Sequence, residues 1–150
     1  MEEDPELHKA AKLATLLHEL WNTVTKSKDE NNELLCIPFL TMPSKRKVPE
    51  YYTRVVDPID LSVIEQNIAN GVYKTPDSFN TDMNLLFSNA IKYYGRTSEN
   101  GIAATRLKKI YVECKKLYVA KFEDTLGEKP SSNFVSSETK GKFMISDTLH

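Results

Sequence analysis

Several residue types and patterns that mark common protein classes are scarce in this sequence of 150 residues. Its two cysteines, Cys36 and Cys114, lie far apart and form no CxxC motif, which excludes a disulfide framework and a structural zinc site and indicates a reducing compartment. The five glycines form neither GxxxxGK[ST] nor GxGxxG, so no phosphate-binding loop of the usual kind is present. No apolar run approaches the roughly 20 residues that cross a bilayer, and the acidic start Glu2, Glu3 and Asp4 is unlike a signal peptide. We therefore expect a soluble, intracellular protein with no membrane partner.

Neither sign of charge is in excess, and the motifs of common hydrolases are missing. The 20 lysines and arginines nearly balance the 21 aspartates and glutamates, so the formal net charge is -1 at pH 7. The composition therefore predicts no general attraction to nucleic acid, and any basic contact must be local. His8, His18 and His150 form no HExxH motif, and no GxSxG motif occurs. We expect a domain that is not an enzyme and has no cofactor and no metal site.

Apolar residues recur at intervals of three and four in four segments, which is the spacing of amphipathic helices. The segments with this spacing lie at 7–24, 61–71, 76–95 and 103–126. Asp60 and Thr75 are suited to cap the second and third helices, and Gly71 is suited to end the second. No stretch alternates like a strand, so we predict an all-α protein built as a four-helix bundle. We expect the bundle to occupy 1–128 and the polar segment 129–150 to be a tail or linker.

A long segment between the first two helices has a composition of its own. Between Leu34 and Pro58 it contains four prolines, which exclude a continuous helix. Long loops inside a compact domain are uncommon and usually functional, and this one carries apolar and aromatic residues that favour packing. We expect it to lie over one end of the bundle and to form a binding cleft with the connection between the third and fourth helices.

Four motifs occur in a characteristic order along these elements. Ile37–Phe39 has the sequence IPF, Pro49–Tyr52 has PEYY, Asp57–Leu61 has DPIDL, and Asn89–Gly95 has NAIKYYG. Together they resemble the Trp-Pro-Phe shelf, the Pro-Asp-Tyr-Tyr segment, the Pro-Met-Asp-Leu start of the second helix and the Tyr-Asn helix end of bromodomains, and the similarity spans 7–126. This resemblance implies a left-handed four-helix bundle that acts in the nucleus as a chromatin-associated module and recognises acetyl-lysine in histone tails.

The resemblance also implies which residues form the acetyl-lysine pocket. Matched position by position, they are Ile37, Pro38, Phe39, Val48, Tyr51, Tyr93, Tyr94 and Asn100. Tyr51 would hold a water against the acetyl carbonyl, the IPF segment would form an apolar shelf, and Tyr93 would line the wall. Asn100 stands in the gatekeeper position. Tyr94 stands where the family usually has the asparagine that binds the acetyl carbonyl.

The replacement of that asparagine by Tyr94 affects the expected function. A pocket for the neutral acetyl group needs apolar walls and a donor for the carbonyl oxygen. The phenol of Tyr94 keeps a donor but places it further from the backbone and brings a ring into the space. A missing partner would cost about 1 to 3 kcal/mol, or roughly 5- to 150-fold in affinity. We expect weak or altered recognition; a scaffold that binds no acetyl-lysine and near-normal binding through the phenol remain alternatives.

Asn100 has two possible roles. Its amide is suited to hydrogen-bond the carbonyl from the opposite wall, and it is also suited to cap the fourth helix.

The loop also carries a local basic cluster at Lys45, Arg46 and Lys47. The cluster is explained either as a solvated loop edge, as a nuclear-import signal, or as a contact to DNA. At the mouth of the cleft its positive charges would repel a lysine-rich histone tail and attract the phosphates of nucleosomal DNA.

Within the bromodomain family, one type is most similar to this sequence. The segment Lys92–Arg96 followed by Ser98 and Gly101, together with the loop at 43–47, looks most like the bromodomain of absent-small-or-homeotic type histone lysine methyltransferases. This resemblance implies a larger nuclear parent protein with a SET domain upstream and a PHD finger downstream, whose other domains would be partners of this module.

Overall fold

The computed structural model describes residues 4–126, which contain five α-helices and no named β-strand. The helices are α1 (Pro5–Thr25), α2 (Pro49–Arg54), α3 (Leu61–Ala69), α4 (Pro76–Tyr94) and α5 (Glu99–Leu126). A short 3-10 helix, η1, spans Ile37–Phe39. The predicted all-α helical bundle is confirmed. The predicted domain boundary at residue 128 and the tail at 129–150 lie outside the described residues.

Helix ends follow from side chains that satisfy the free backbone groups there. Asp60 accepts a hydrogen bond from the Val63 amide at the start of α3, and Thr75 accepts one from the Ser78 amide at the start of α4. Beyond α3, Gly71 has a φ of 69°, a left-handed conformation that glycine adopts readily. The predicted caps and the predicted stop are therefore confirmed.

Two helix starts differ from the prediction. The loop contains α2, which begins at Pro49, because a proline at the first helical position needs no amide partner there. The prolines exclude one continuous helix but allow this short one. In addition, α5 begins at Glu99, so Asn100 lies inside the helix and the expectation that it caps α5 is wrong. Ser98 takes that role, since its hydroxyl oxygen accepts the Gly101 amide at 2.9 Å.

The core lies between α1, α3, α4 and α5. Fully buried members from these helices include Leu17, Leu20, Leu61, Ile64, Met83, Phe87, Leu107 and Tyr111. The indole Nε1 of Trp21 donates to the Leu61 carbonyl at 2.9 Å and ties α1 to α3. None of the helices within residues 4–126 has the length and hydrophobicity of a bilayer span.

Three contacts fasten the long loop over one end of the bundle. The Asp60 carboxylate, which caps α3 with one oxygen, accepts the Met42 amide at 2.8 Å with the other. The Leu40 carbonyl accepts the Ser62 amide at 3.2 Å. The Asn89 side chain of α4 donates to the Asp57 carbonyl at 2.8 Å. These bonds bring the loop against the C-terminal end of α4, where the cleft was expected.

Both cysteines are packed in the structure. Cys36 is buried and its thiol donates to the Thr25 carbonyl, whereas Cys114 is half-buried. Burial raises the pKa of both thiols, which keeps them protonated and unreactive.

Candidate functional site

The connection between α4 and α5 sets the positions of Tyr94 and Asn100. Gly95 ends α4 with a φ of 89°, and the Ser98 hydroxyl donates to the Gly95 carbonyl at 2.8 Å. A Cβ atom at Gly101 would lie 1.7 Å from that same carbonyl oxygen, so the turn can close this tightly only with glycine at 101. The tight turn places the end of α4 directly beside the start of α5.

Four tyrosines form a continuous row across the expected cleft. Tyr52 and Tyr51 of α2 meet with ring centroids 5.2 Å apart, Tyr51 meets Tyr93 at 4.8 Å, and Tyr93 meets Tyr94 at 4.9 Å. All three contacts are edge to face, an arrangement that adds about 0.5 to 1.5 kcal/mol per pair beyond area burial. The row therefore packs α2 firmly against the end of α4.

The space beside Tyr94 is small. Pro38, Phe39, Tyr51 and Tyr94 line one cavity, and its volume is only about 20 Å³. A cavity of this size holds about one water molecule. The Tyr94 side chain packs against the hydrophobic core beside this cavity. Four of the predicted pocket residues are therefore brought together around a space that is nearly filled.

The other predicted pocket residues lie outside the lining of this cavity. Ile37 has 57% of its surface exposed, and Val48 is half-buried in the loop. Tyr93 instead lines a second groove on the other side of α4. Asn100 lies in the first turn of α5, where its side chain acts to lower the pKa of the Tyr94 phenol.

Both phenols beside the cavity are neutral near pH 7. Burial raises the pKa of Tyr94, the neighbouring Tyr93 adds to the rise, and the hydrogen bond with Asn100 acts in the opposite direction. Burial also raises the pKa of Tyr51, with smaller contributions from Tyr94 and the other nearby tyrosines. Each hydroxyl therefore keeps its proton and is able to donate a hydrogen bond.

Some residues at the cavity were not predicted from the sequence. Thr41, Met42, Ile59 and Ala90 also line it. The position of Ala90 was open to prediction, because residues four apart on a helix share a face and Ala90 precedes Tyr94 by four. The loop residues carry no comparable signal, since their positions depend on backbone bonds to distant parts of the chain.

The basic turn of Lys45, Arg46 and Lys47 is exposed at the edge of the cleft. The Ser44 hydroxyl oxygen accepts the Arg46 and Lys47 amides, and this fixes the turn. The Lys45 ammonium lies 5.3 Å from the centre of the Tyr52 ring. The turn is therefore continuous with the tyrosine row.

A larger cavity of about 520 Å³ lies at the opposite end of the bundle. It is bounded by the first half of α1, the start of α4 and Phe122 near the end of α5. Its lining contains none of the predicted site residues, so the motifs and the largest of these spaces do not coincide. We place the candidate site at the smaller cavity, because the sequence motifs lie in the long loop and at the α4–α5 turn that surround it.

Comparison with known proteins places the chain in a family. The family model described as Bromodomain matches residues 18–106. The bromodomain-containing protein C631.02 of Schizosaccharomyces pombe is 33% identical over 100 residues, which cover 67% of this chain and 12% of that protein. The chromatin structure-remodeling complex subunit rsc4 of the same organism is 32% identical over 78 residues, covering 52% of this chain and 14% of that protein.

A solved structure of the bromodomain from human BAZ1A superposes with a TM-score of 0.55 at 28% sequence identity, covering 75% of this chain and 92% of that one. This chain thus matches most of a solved bromodomain, whereas it spans about an eighth of the two curated relatives. The match of the family model over more than half of the sequence, with the helical bundle and the loop described above, shows that the chain belongs to the bromodomain family.

Proposed function

We propose that this chain is a chromatin-associated binding module in which Tyr94 makes acetyl-lysine recognition weak or altered. A bromodomain is a binding module and not an enzyme, and the relative rsc4 is named as a subunit of a chromatin structure-remodeling complex. The observation that carries the proposal is the cavity of about 20 Å³ beside the Tyr94 ring.

The size of the cavity supports the proposal in a simple way. An acetyl-lysine head group has to bury a methyl group, a carbonyl and an amide nitrogen, which need more room than one water molecule. The Tyr94 ring therefore has to move before the group can enter. That movement breaks the edge-to-face contact with Tyr93, at a cost of about 0.5 to 1.5 kcal/mol, in addition to the loss of core packing.

A displaced Tyr94 would still offer a donor. Its phenol is neutral, and Asn100 is available as a polar neighbour on α5. The carbonyl of the ligand would be bound at a different place from the one that an asparagine provides, because the hydroxyl sits at the far end of a rigid ring. This is the sense in which recognition is altered.

Titration of acetylated and unmodified histone peptides against three proteins tests the proposal. The wild type is compared with Tyr94→Asn, which restores the short donor and removes the ring, and with Tyr94→Phe, which keeps the ring and removes the hydroxyl. We expect Tyr94→Asn to bind the acetylated peptide more tightly than the wild type. Equal affinity of these two proteins would sink the proposal, and complete loss of binding in Tyr94→Phe alone would identify the phenol as the normal donor.

The alternative function is a scaffold that binds no acetyl-lysine and holds a partner protein or another domain of a larger chromatin protein. The nearly filled cavity favours this scaffold function if the Tyr94 ring does not move out of it. Small acetyl-lysine mimics separate the two functions, since a ligand that binds the folded state raises the melting temperature. An increase in the wild type supports recognition; no increase in the wild type and an increase in Tyr94→Asn supports the scaffold.

A weak contact to nucleosomal DNA is a further part of the proposal. Its support is the exposed turn of Lys45, Arg46 and Lys47, which Ser44 holds at the edge of the cleft. Replacing the three basic residues by alanine should weaken binding to DNA in gel shifts. The slope of the logarithm of the binding constant against the logarithm of the salt concentration should become shallower by about one unit for each phosphate contact that is lost. A control variant replaces two exposed lysines of α5, Lys108 and Lys109, by alanine, and the loss of affinity is compared per removed charge. Equal loss per removed charge in both proteins would count against a specific role for the turn.

We further propose a nuclear location and a parent protein of the absent-small-or-homeotic methyltransferase type. The support is the sequence similarity at Lys92–Arg96, Ser98 and Gly101. The last two residues have a structural reason to be present, because they close the α4–α5 turn. Sequencing the full-length transcript tests the parent: a SET domain upstream and a PHD finger downstream are expected, and their absence would refute this part of the proposal.

A further inference from the structure

A second groove lies on the outer side of α4, away from the cavity beside Tyr94. It has a volume of about 240 Å³ and runs between the segment Arg54–Asp57, which begins at the last residue of α2, and the last turns of α4. Tyr93 lines this groove, whereas Tyr94 lines the cavity. Adjacent residues on a helix point about 100° apart, so the two tyrosines face different sites. The two spaces share no lining residue.

The groove has an apolar surface that is open to solvent. Leu85 and Tyr93 of α4 are both half-buried and line its wall. Val56 also lines it and has 88% of its surface exposed. A branched apolar side chain with this exposure gains free energy when a ligand covers it.

Two cations border this apolar surface. The guanidinium carbon of Arg54 lies 4.8 Å from the centre of the Tyr93 ring, which holds the side chain in place. Lys92 is exposed on α4, and Asp57 supplies the one carboxylate among the lining residues. The lining therefore carries two positive charges and one negative charge. An arginine fixed on an aromatic face loses little freedom when it binds a carboxylate with its planar fork.

Asn89 provides a way to bind a peptide backbone. One N–H of its amide donates to the Asp57 carbonyl at 2.8 Å, which fixes the orientation of the side chain in the groove. Among residues 4–126 no further hydrogen bond to the second N–H or to the amide oxygen of Asn89 is present, and together these two groups match the carbonyl and amide of a peptide bond.

We propose that this groove binds a short acidic peptide segment of a partner protein, in which an apolar side chain lies between two carboxylates. The apolar residue would cover Val56 and Leu85, and a carboxylate would pair with Arg54. A peptide fits these features better than nucleic acid does, because an apolar side chain can cover Val56 and Leu85 whereas a phosphate backbone has no apolar group to place there. The proposal does not depend on recognition of acetyl-lysine.

The test uses a blocked pentapeptide with a central leucine between two glutamates and a matched peptide with two glutamines. Titration of the folded, isotopically labelled protein is followed by NMR at the Val56 backbone amide and the Asn89 side-chain amide. We expect shifts at both positions with the glutamate peptide and much smaller shifts with the glutamine peptide. Shifts of equal size with both peptides, or no shift with the glutamate peptide, would overturn the proposal.

Variants locate the site. Arg54→Gln should weaken binding by at least about tenfold, because a charge-assisted hydrogen bond is lost. Val56→Ser should weaken it several-fold through lost apolar contact. Lys74→Gln removes an exposed charge at the other end of α4 and should bind as the wild type does. Arg54→Lys keeps the positive charge. If it retains affinity for the peptide, the loss of affinity in Arg54→Gln results from the missing charge and not from a shifted loop. Wild-type affinity in Arg54→Gln, or equal weakening in Lys74→Gln, would refute the assignment.

Discussion

Asp60 is the residue whose replacement most clearly tests how the long loop is held. Its carboxylate accepts three hydrogen bonds, from the Met42 amide at 2.8 Å, the Val63 amide at 2.8 Å and the Ser62 hydroxyl at 2.7 Å. The side chain is buried, with 5% of its surface exposed. In Asp60→Ala, loss of the helix cap costs about 1 kcal/mol, and the Met42 amide left without an acceptor adds about 1 to 3 kcal/mol. We therefore expect a loss of about 3 kcal/mol in the free energy of unfolding.

The loss of stability in Asp60→Ala can be compared with the loss at Thr75, a helix cap that makes no contact with the long loop. The Thr75 side chain accepts the Ser78 amide at the exposed start of α4, so Thr75→Ala should cost about 1 kcal/mol. Urea denaturation gives both values, and the melting temperature of Asp60→Ala should fall by about 10 °C. Hydrogen exchange at the Met42 amide should become faster in Asp60→Ala alone. If the two variants lose the same stability and the Met42 amide stays protected, the loop is not fastened through Asp60 and the reasoning fails.

Two further predictions follow from the turn and from the tyrosines. Gly101→Ala should destabilise by about 3 kcal/mol or more, because its Cβ would lie 1.7 Å from the Gly95 carbonyl oxygen. Gly71→Ala would meet no atom, so it should cost only the strain of its φ of 69°, about 1 to 2 kcal/mol. Equal losses in denaturant titration would contradict this difference. Burial raises the pKa of Tyr51 and Tyr94, so the unfolded chain loses these protons first as the pH rises. Stability should then be fully present below about pH 10 and decline above it, and each Tyr→Phe variant should show a shallower decline than the wild type; identical slopes would refute the assignment.

The long helices could be predicted from the sequence because each repeats its apolar spacing over several turns. The short helix α2 could not, since its six residues are too few for periodicity. A proline at position 49 was compatible with a helix start, but it was interpreted only as a barrier. The apolar spacing of the fourth helix becomes visible only at Ala103, which makes a cap at Asn100 one of its two possible roles; the helix begins at Glu99 and Ser98 supplies the cap.

The sequence allowed several residues of the candidate site to be predicted, but not the volume of the cavity that they line. The motif order brought Pro38, Phe39, Tyr51 and Tyr94 to one place, where the structure also has them. That Tyr93 faces another groove was open to prediction from helix geometry, because neighbours on a helix do not share a face. The volume beside Tyr94 was not, since it depends on how the loop packs, and the loop is held by a bond between Met42 and Asp60, eighteen residues apart.

The affinity ratio between Tyr94→Asn and the wild type for one acetylated histone peptide tests the central claim most directly. Isothermal titration calorimetry at a fixed salt concentration gives both dissociation constants, and the unmodified peptide gives the background for each protein. The regained donor is worth about 1 to 3 kcal/mol, and the Tyr93 contact no longer has to be broken, so Tyr94→Asn should bind at least about tenfold more tightly. Equal dissociation constants for the two folded proteins would contradict the claim that Tyr94 limits acetyl-lysine recognition.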